Sequence, residues 1–247
     1  GALDFDQRSG RQVLAMVILL LLRPMTKIDV ATRIRICGLV VRNRLAYRGL
    51  QEFQGDIDHF DGVGMNTKKL FILELVVREI RPKISRTLAI DASASLSTLH
   101  RAIQVLFGWY DYHLHEFVVG DETYAADDGD GLFEPPPKST RKRLSSLLTE
   151  KGDSLLYLYD FGDDWQVDIR LESVIEVAKS TPKVSCFAAN RSGPLEDSGS
   201  PWGYMEKLDI LCEPEHEDYE LIREWVPEGF DSEFVDIEEI NEQLLRL

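Results

Sequence analysis

The sequence predicts an α+β fold, in which a mainly antiparallel or mixed sheet packs against helices and the C-terminal part of the chain is helical. Strand-like segments mostly precede helical ones, only one strand–helix–strand unit is evident, and no internal repeat of fixed period occurs. With 247 residues, of which 44% are hydrophobic, the chain is long enough to bury a sizeable core.

Charge and sequence pattern divide the chain near Met65. Residues 1–64 contain nine basic and seven acidic side chains, whereas residues 65–247 contain 19 basic and 36 acidic ones. The apolar run Val13–Leu22 is far shorter than the roughly 20 residues that a membrane-spanning helix needs, and no small-residue cleavage site follows it. We therefore predict an N-terminal appendage over residues 1–64 and a folded domain over residues 65–247.

Two strands begin the predicted domain. The segments Leu70–Ile80 and Ser85–Asp91 are both rich in aliphatic and β-branched residues, which favour strands. Pro82 lies between them and cannot donate a backbone hydrogen bond, so it marks the connection of a hairpin.

A helix is predicted over residues 96–107. Ser95 is a suitable N-cap, and Gly108 is a residue type that commonly ends helices. Apolar side chains recur at helical spacing between them. The side chains expected to pack against the sheet are Leu99, Ile103 and Phe107. Those expected on the exposed face are Thr98 and Arg101.

The later elements follow from the same two periodicities, alternation for strands and a spacing of three to four residues for helices. The elements expected are a strand over His113–Val119, a short helix over Leu144–Glu150, strands over Leu155–Phe161 and Trp165–Glu172, an irregular stretch over 180–201, and three helices that carry Tyr204, Tyr219 and the Asp236–Glu239 capping box. The acidic segment Asp127–Gly131 is predicted to be a solvated turn, because it lacks the closing Glu of a calcium loop.

Two histidines and a group of carboxylates form the candidate binding site. His113 and His115 are two residues apart on a predicted strand, so both rings are expected on one face of the sheet. Such a pair can bind a divalent metal with nearby carboxylates, but a histidine on a half-buried strand is more often hydrogen-bonded to a neighbouring group. The other candidate residues are Glu116, Asp160, Asp163, Trp165, Glu196 and Asp197.

The densest signal is the segment Tyr159–Trp165. If the alternation of a strand continues through this segment, Phe161 and Asp163 lie on the core-facing side together with Tyr159 and Trp165. A bulge at Gly162 would instead reverse the alternation after it. The carboxylates either fix a turn by accepting backbone N–H groups, the interpretation that we favour, or hold a cationic or polar ligand together with the aromatic faces.

We expect the segment Tyr159–Trp165 to lie close to the strand His113–Phe117 and to the Glu196-Asp197 loop. Carboxylates beside aromatic side chains need donors when they are buried, and the histidines and nearby backbone N–H groups can supply them. A pairing of Asp160 or Asp163 with His115 would raise the pKa of that imidazole.

Five motifs follow one another along the acidic part of the chain. They are Leu99-His100-Arg101-Ala102-Ile103-Gln104, Phe107-Gly108-Trp109, His113-Leu114-His115-Glu116-Phe117, Tyr159-Asp160-Phe161-Gly162-Asp163-Asp164-Trp165, and Pro194-Leu195-Glu196-Asp197 with Gly203-Tyr204. In this order the chain resembles the plasmid pRiA4b ORF-3-like family over about Leu70–Leu247. The resemblance implies an α+β domain with the MM3350-like fold and implies no particular activity.

The chain departs from the family pattern in three places. Ser85 stands where members of the family usually carry Trp, and Val167 stands where they commonly carry His. The family pattern has a Gly-Gly pair at the position where this chain has Gly199-Ser200. The missing histidine reduces the support that the resemblance gives to a metal or acid–base role for the cluster.

Composition and motifs exclude several classes of function. A net charge of −15 argues against direct binding to nucleic acid or to an anionic membrane surface. Three cysteines form neither a disulfide framework nor a paired zinc motif, so we expect a cytoplasmic protein. The sequence contains no Gly-x-Ser-x-Gly elbow, phosphate-binding loop, dinucleotide fingerprint or HExxH motif.

Two hypotheses about function remain. The first is a non-enzymatic binding or interaction module without a cofactor, which binds a protein or a small ligand and is associated with mobile genetic elements, as the family name suggests. The second is a metal-assisted hydrolase that uses His113, His115, Asp160 and Asp163 around a divalent ion. Whether the protein is an enzyme, and its oligomeric state, stay open at this point.

Overall fold

The computed structural model describes residues 66–125 and 138–247. These residues belong to two compact units. The described part of the first unit consists of residues 66–68 and 177–181, in which the Lys179 backbone N–H donates to the Asn66 carbonyl at 3.0 Å. The second unit holds the rest, including the helices and the candidate site.

Three predictions concern residues outside the described ranges. They are the N-terminal appendage, its apolar run Val13–Leu22 and the acidic turn Asp127–Gly131. The division of the chain at Met65 therefore stays a prediction.

The described residues contain eight strands and four helices. The strands are β1 (Thr67–Val77), β2 (Ser85–Asp91), β3 (His115–Val119), β4 (Glu122–Ala125), β5 (Lys138–Ser139), β6 (Ser154–Tyr159), β7 (Trp165–Ala178) and β8 (Val184–Asn190). The helices are α1 (Leu96–Phe107), α2 (Ser200–Leu211), α3 (Tyr219–Trp225) and α4 (Ile237–Leu244), with a 3-10 turn at Leu144–Ser146. None of these helices has the length and apolar character needed to span a lipid bilayer.

The strands form one sheet in the order β5-β4-β3-β6-β7-β1-β2-β8. The pairs β1–β2, β2–β8, β3–β4, β3–β6 and β6–β7 are antiparallel, whereas β4–β5 is parallel. The predicted α+β class, with a mixed sheet and a helical C-terminal part, is confirmed.

Helix α1 forms over the residues that the sequence predicts. The Thr98 N–H donates to Ser95 Oγ at 3.1 Å, and Gly108 closes the helix in the left-handed conformation with φ +74°. Leu99, Ile103 and Phe107 are buried. Thr98 is half-buried, contrary to expectation, and its hydroxyl lies 3.1 Å from the Ser95 hydroxyl within the cap.

Strand alternation explains how the sheet reaches the core. On β6 and β7, every second residue is buried from Leu155 to Tyr159 and from Trp165 to Leu171, while the residues between them are half-buried or exposed. The buried face of the central strands therefore presents Tyr157, Tyr159 and Trp165 to the core.

The structure corrects several predicted boundaries. Strand β1 ends at Val77, three residues before the predicted end, and the predicted helix over Leu144–Glu150 is a single 3-10 turn. Strand β8 lies within the stretch predicted to be irregular. It forms because it pairs with β2, about 100 residues earlier in the chain, and because the Asn241 side chain hydrogen-bonds both backbone groups of Cys186, at 2.8 and 2.9 Å.

Candidate functional site

Three segments meet at one end of β3, β6 and β7. They are the residues before β3, the turn that joins β6 to β7, and the loop that leads into α2. The Asp160 N–H donates to the Leu114 carbonyl at 3.0 Å, and the Gly199 N–H donates to Asp163 Oδ2 at 3.0 Å. The Tyr159 hydroxyl also donates to the Glu196 carboxylate. The proximity expected from the sequence is therefore present.

Asp160 fixes the turn between β6 and β7. Its backbone is in the left-handed conformation with φ +56°, and its Oδ1 accepts the N–H groups of Gly162 at 2.9 Å and Asp163 at 3.3 Å. This is the arrangement of an Asx turn, in which an aspartate side chain imitates a backbone carbonyl. The turn interpretation is thus confirmed for Asp160, and its second oxygen, Oδ2, is left for another partner.

The loop before α2 is held by buried contacts. The indole N–H of Trp109 donates to the Pro194 carbonyl at 2.9 Å, and the Lys207 ammonium donates to the Ser198 carbonyl at 2.8 Å. A Cβ on Gly203 would lie 2.5 Å from the same Ser198 carbonyl oxygen, so only glycine lets helix α2 approach the loop this closely. The loop thereby places Asp197 opposite the turn.

His113 lies between the turn and the loop. Its Nε2 is 3.6 Å from Asp160 Oδ2 and 3.5 Å from Asp197 Oδ1, both too long for a good hydrogen bond. The Nε2 atom is buried and has no hydrogen-bond partner among the described residues. The ring packs edge-on against Tyr159, with the centroids 5.7 Å apart.

Tyr159 and Glu196 form the adjacent polar pair. The phenol oxygen donates to Glu196 and accepts the Tyr112 N–H at 3.1 Å. Burial, followed by the hydrogen bond and the negative charge of Glu196, raises the pKa of Tyr159 well above its usual value. The phenol therefore acts as a neutral donor.

His115 belongs to a different cluster, and its expected pairing with Asp160 or Asp163 is wrong. Strand β3 begins at His115, so His113 lies before the strand and does not share its alternation. The His115 ring stacks on His100 instead, with the ring centroids 3.5 Å apart and the planes within 4°. Burial, followed by the charge of His100, lowers the pKa of His115 to about 4, which is opposite to the expected direction.

The polar network around His100 was not among the features predicted from the sequence. His100 Nδ1 lies 2.8 Å from the Tyr157 hydroxyl, and His100 Nε2 lies 2.9 Å from Asp111 Oδ1. Gln104 links the two ends, because it donates to the Tyr157 hydroxyl at 3.0 Å and accepts the Asp111 N–H at 2.8 Å. A signal was available: His100 and Gln104 are four residues apart on the buried side of α1, and buried polar side chains need partners.

Trp165 lies in the core and does not reach the surface of the site. It is fully buried, 6.3 Å from the Trp109 ring and 6.3 Å from the Tyr204 ring, measured between centroids. Phe161 is 45% exposed, so the expectation that it shares the core-facing side with Trp165 is wrong. The turn that Asp160 initiates interrupts the strand alternation and so sends Phe161 outward.

Exposed aromatic and aliphatic side chains surround the polar cluster. Tyr110 and Tyr112 stack on each other with centroids 5.6 Å apart, and both are largely exposed. We define the acidic–aromatic surface as these two tyrosines and their neighbours, namely Leu114, Phe161 and the carboxylates of Asp111, Asp163, Glu196 and Asp197.

The fold and the cluster define the class of protein: an α+β domain with an eight-stranded mixed sheet and a polar, aromatic site at the ends of β3, β6 and β7. The chain belongs to the plasmid pRiA4b ORF-3-like protein family, which matches residues 69–239.

Two relatives agree with this assignment. The uncharacterized protein y4hQ of Sinorhizobium fredii is 32% identical over 174 residues, which cover 68% of this chain and 87% of the relative. The crystal structure of the protein of unknown function MM3350 from Methanosarcina mazei Go1 is similar, with a TM-score of 0.63 and 35% identity. That similarity covers 70% of this chain and 97% of the other.

Proposed function

We propose that the domain is a non-enzymatic interaction module that binds a basic segment of a partner protein on its acidic–aromatic surface. The observation that carries the proposal is the coincidence of exposed aromatic rings and exposed carboxylates on connected loops.

The aromatic part of the surface has the composition of a binding site. Tyr110 is 68% exposed and Tyr112 is 78% exposed, and Leu114 and Phe161 add exposed apolar area nearby. Tyrosines in fixed loops supply large contact area at low entropic cost, and aromatic residues are enriched in protein interfaces. Their faces also attract the cationic groups of Arg and Lys.

The charges of the surface favour a basic occupant. The side chains of Asp111 and Asp197 are 55% and 73% exposed. A second copy of the chain would present the same carboxylates and a net charge of −15, so it would be repelled, as would nucleic acid. A segment rich in Arg and Lys complements the surface and would be attracted from a distance.

A metal-assisted hydrolase has less support from the geometry. Of the four residues in that hypothesis, His115 is stacked on His100 and Asp163 accepts the Gly199 N–H, so they do not converge with His113 and Asp160 on one ion.

The free thiols of Cys186 and Cys212 support a cytoplasmic location, and the family name supports an association with mobile genetic elements.

The test is the binding of a fluorescein-labelled peptide of alternating Arg and Gly, followed by fluorescence anisotropy in the presence of EDTA. Replacing Tyr110 and Tyr112 together by Ala should weaken binding at least tenfold, about 1.4 kcal/mol. The matched control replaces Leu221 and Phe234 by Ala, which removes similarly exposed apolar side chains elsewhere on the chain and should leave affinity within about twofold.

A charge-matched pair of variants separates the surface from the net charge of the chain. Asp111→Asn with Asp197→Asn removes two charges from the surface, and Asn tolerates the positive φ of both positions. Glu215→Gln with Glu217→Gln removes two exposed charges from another loop. Equal losses of affinity in the two pairs would show non-specific attraction and would refute the proposal.

A further inference from the structure

We infer that His113, Asp160 and Asp197 form a binding site for a divalent transition-metal ion of the class that accepts both imidazole and carboxylate ligands, such as Zn²⁺ or Mn²⁺. The site goes beyond the proposed interaction and does not depend on it.

The two distances from His113 Nε2 to the carboxylate oxygens are closer to the spacing of metal ligands than to the length of hydrogen bonds. Ligands about 2.1 Å from a metal and 90–110° apart lie about 3.0–3.5 Å from each other. His113 Nε2 lies 3.6 Å from Asp160 Oδ2 and 3.5 Å from Asp197 Oδ1, and the three residues each offer one ligand atom within 4.8 Å of the other two. Direct hydrogen bonds would bring them to about 2.7–3.2 Å.

The buried Nε2 of His113 also points to a cation. It has no hydrogen-bond partner in the described part of the chain, although it faces two carboxylate oxygens. A proton on Nε2 would be a buried donor without an acceptor in good range, and a lone pair on Nε2 would face two anions at close distance. An ion between the three groups removes both conflicts.

The ligands are held in place by their neighbours. Asp160 Oδ1 is occupied by the N–H groups of Gly162 and Asp163, which fixes the carboxylate with Oδ2 directed at His113. The His113 ring is packed edge-on against Tyr159. Such supporting contacts orient the ligands of metal sites and reduce the cost of ordering them. The exposed Asp197 lies on the side from which an ion would enter.

The neighbouring group of His100, Asp111 and His115 has the residue types of a metal site but not its geometry. A metal binds imidazole in the plane of the ring, and the two rings lie in parallel planes with centroids 3.5 Å apart, so no single ion lies in both planes. Both nitrogens of His100 are within hydrogen-bond distance of other groups. The ion is therefore assigned to His113.

The test is isothermal titration calorimetry of the full chain, stripped with EDTA and exchanged into chelator-free buffer, with Zn²⁺ and with Mn²⁺ as the probes. The expected result is one site per chain for at least one ion, with the His113 ring signals shifting in NMR spectra on Zn²⁺ addition. His113→Ala should weaken binding at least tenfold. The matched control is His216→Ala, because His216 lies 3.9 Å from Asp218 in an ordinary surface pair and should not affect binding.

A second variant guards against a folding defect. Asp197 is exposed and Asn fits its positive φ, so Asp197→Asn should keep the fold while it weakens binding at least tenfold. The inference is refuted if no ion binds, or if His113→Ala or Asp197→Asn binds the ion as tightly as His216→Ala does. The peptide measurement is made with EDTA, so no ion is bound when its tyrosine and aspartate variants are compared, and either result can fail without the other.

Discussion

His100 and His115 lie face to face, with their ring planes within 4° of parallel and their centroids 3.5 Å apart. One ring comes from helix α1 and the other from strand β3. Burial lowers the pKa of His100, and burial together with the charge of His100 lowers the pKa of His115 to about 4. Protonation of both rings would place two positive charges in direct contact, so we expect the stack to be sensitive to acid.

The first prediction concerns pH. The unfolded chain binds a proton at His115 near pH 6.5, whereas the folded, metal-free chain binds it near pH 4. The contribution of His115 to the free energy of unfolding is fully present above pH 6.5. It is lost as the pH falls toward 4, and the loss amounts to about 3 kcal/mol. Urea unfolding at several pH values measures this pH dependence. The variant His115→Phe cannot titrate at this position, so its free energy of unfolding should fall less steeply as the pH is lowered. An NMR pKa of His115 near 6.5 would contradict the prediction.

The second prediction concerns the core face of α1. Ile103 is fully buried, so Ile103→Ala should reduce the free energy of unfolding by about 2–5 kcal/mol through the cavity that it leaves. Arg101 is exposed on the same helix, and Arg101→Ala should change the free energy of unfolding by no more than about 0.5 kcal/mol. Denaturant unfolding of both variants is the measurement, and equal effects would mean that the helix packs differently.

The third prediction concerns two glycines near the end of α1. A Cβ at Gly193 would lie 1.9 Å from the Phe107 carbonyl oxygen, so Gly193→Ala must displace backbone and should cost about 3 kcal/mol or more. Gly108 has a positive φ but open space around it, so Gly108→Ala should cost only about 1–2 kcal/mol. Thermal unfolding ranks the two variants, and the reverse order would show that the loop is not packed against α1 in this way.

The fourth prediction concerns the division of the chain at Met65. We expect a chain of residues 65–247 to be soluble and to unfold cooperatively, at a temperature within a few degrees of that of the full chain. Calorimetry of both chains measures this. A shortened chain that aggregates, or that melts far below the full one, would show that residues 1–64 contribute to the core.

Local physical chemistry made much of the fold predictable. The limits of α1 follow from a serine cap, an apolar stripe and a glycine that adopts a positive φ, all within one stretch of sequence. The strands β2 and β6 show the alternation or aliphatic content of half-buried strands. Strand β8 lacks such a local signal because its stability comes from pairing with β2 and from the Asn241 side chain, both distant in the sequence.

The candidate site shows the same division between local and distant determinants. The sequence by itself indicated which residue types would gather and favoured a turn fixed by an aspartate, and in the structure Asp160 accepts the backbone N–H groups two and three residues away. Only the tertiary structure decided that His113 faces Asp197 while His115 faces His100. Strand alternation alone would place the two histidines on one face of the sheet. Strand β3 begins only at His115, so His113 lies outside the alternation. The pairing of β3 with β6 and the packing of α1 then fix the position of the His115 ring.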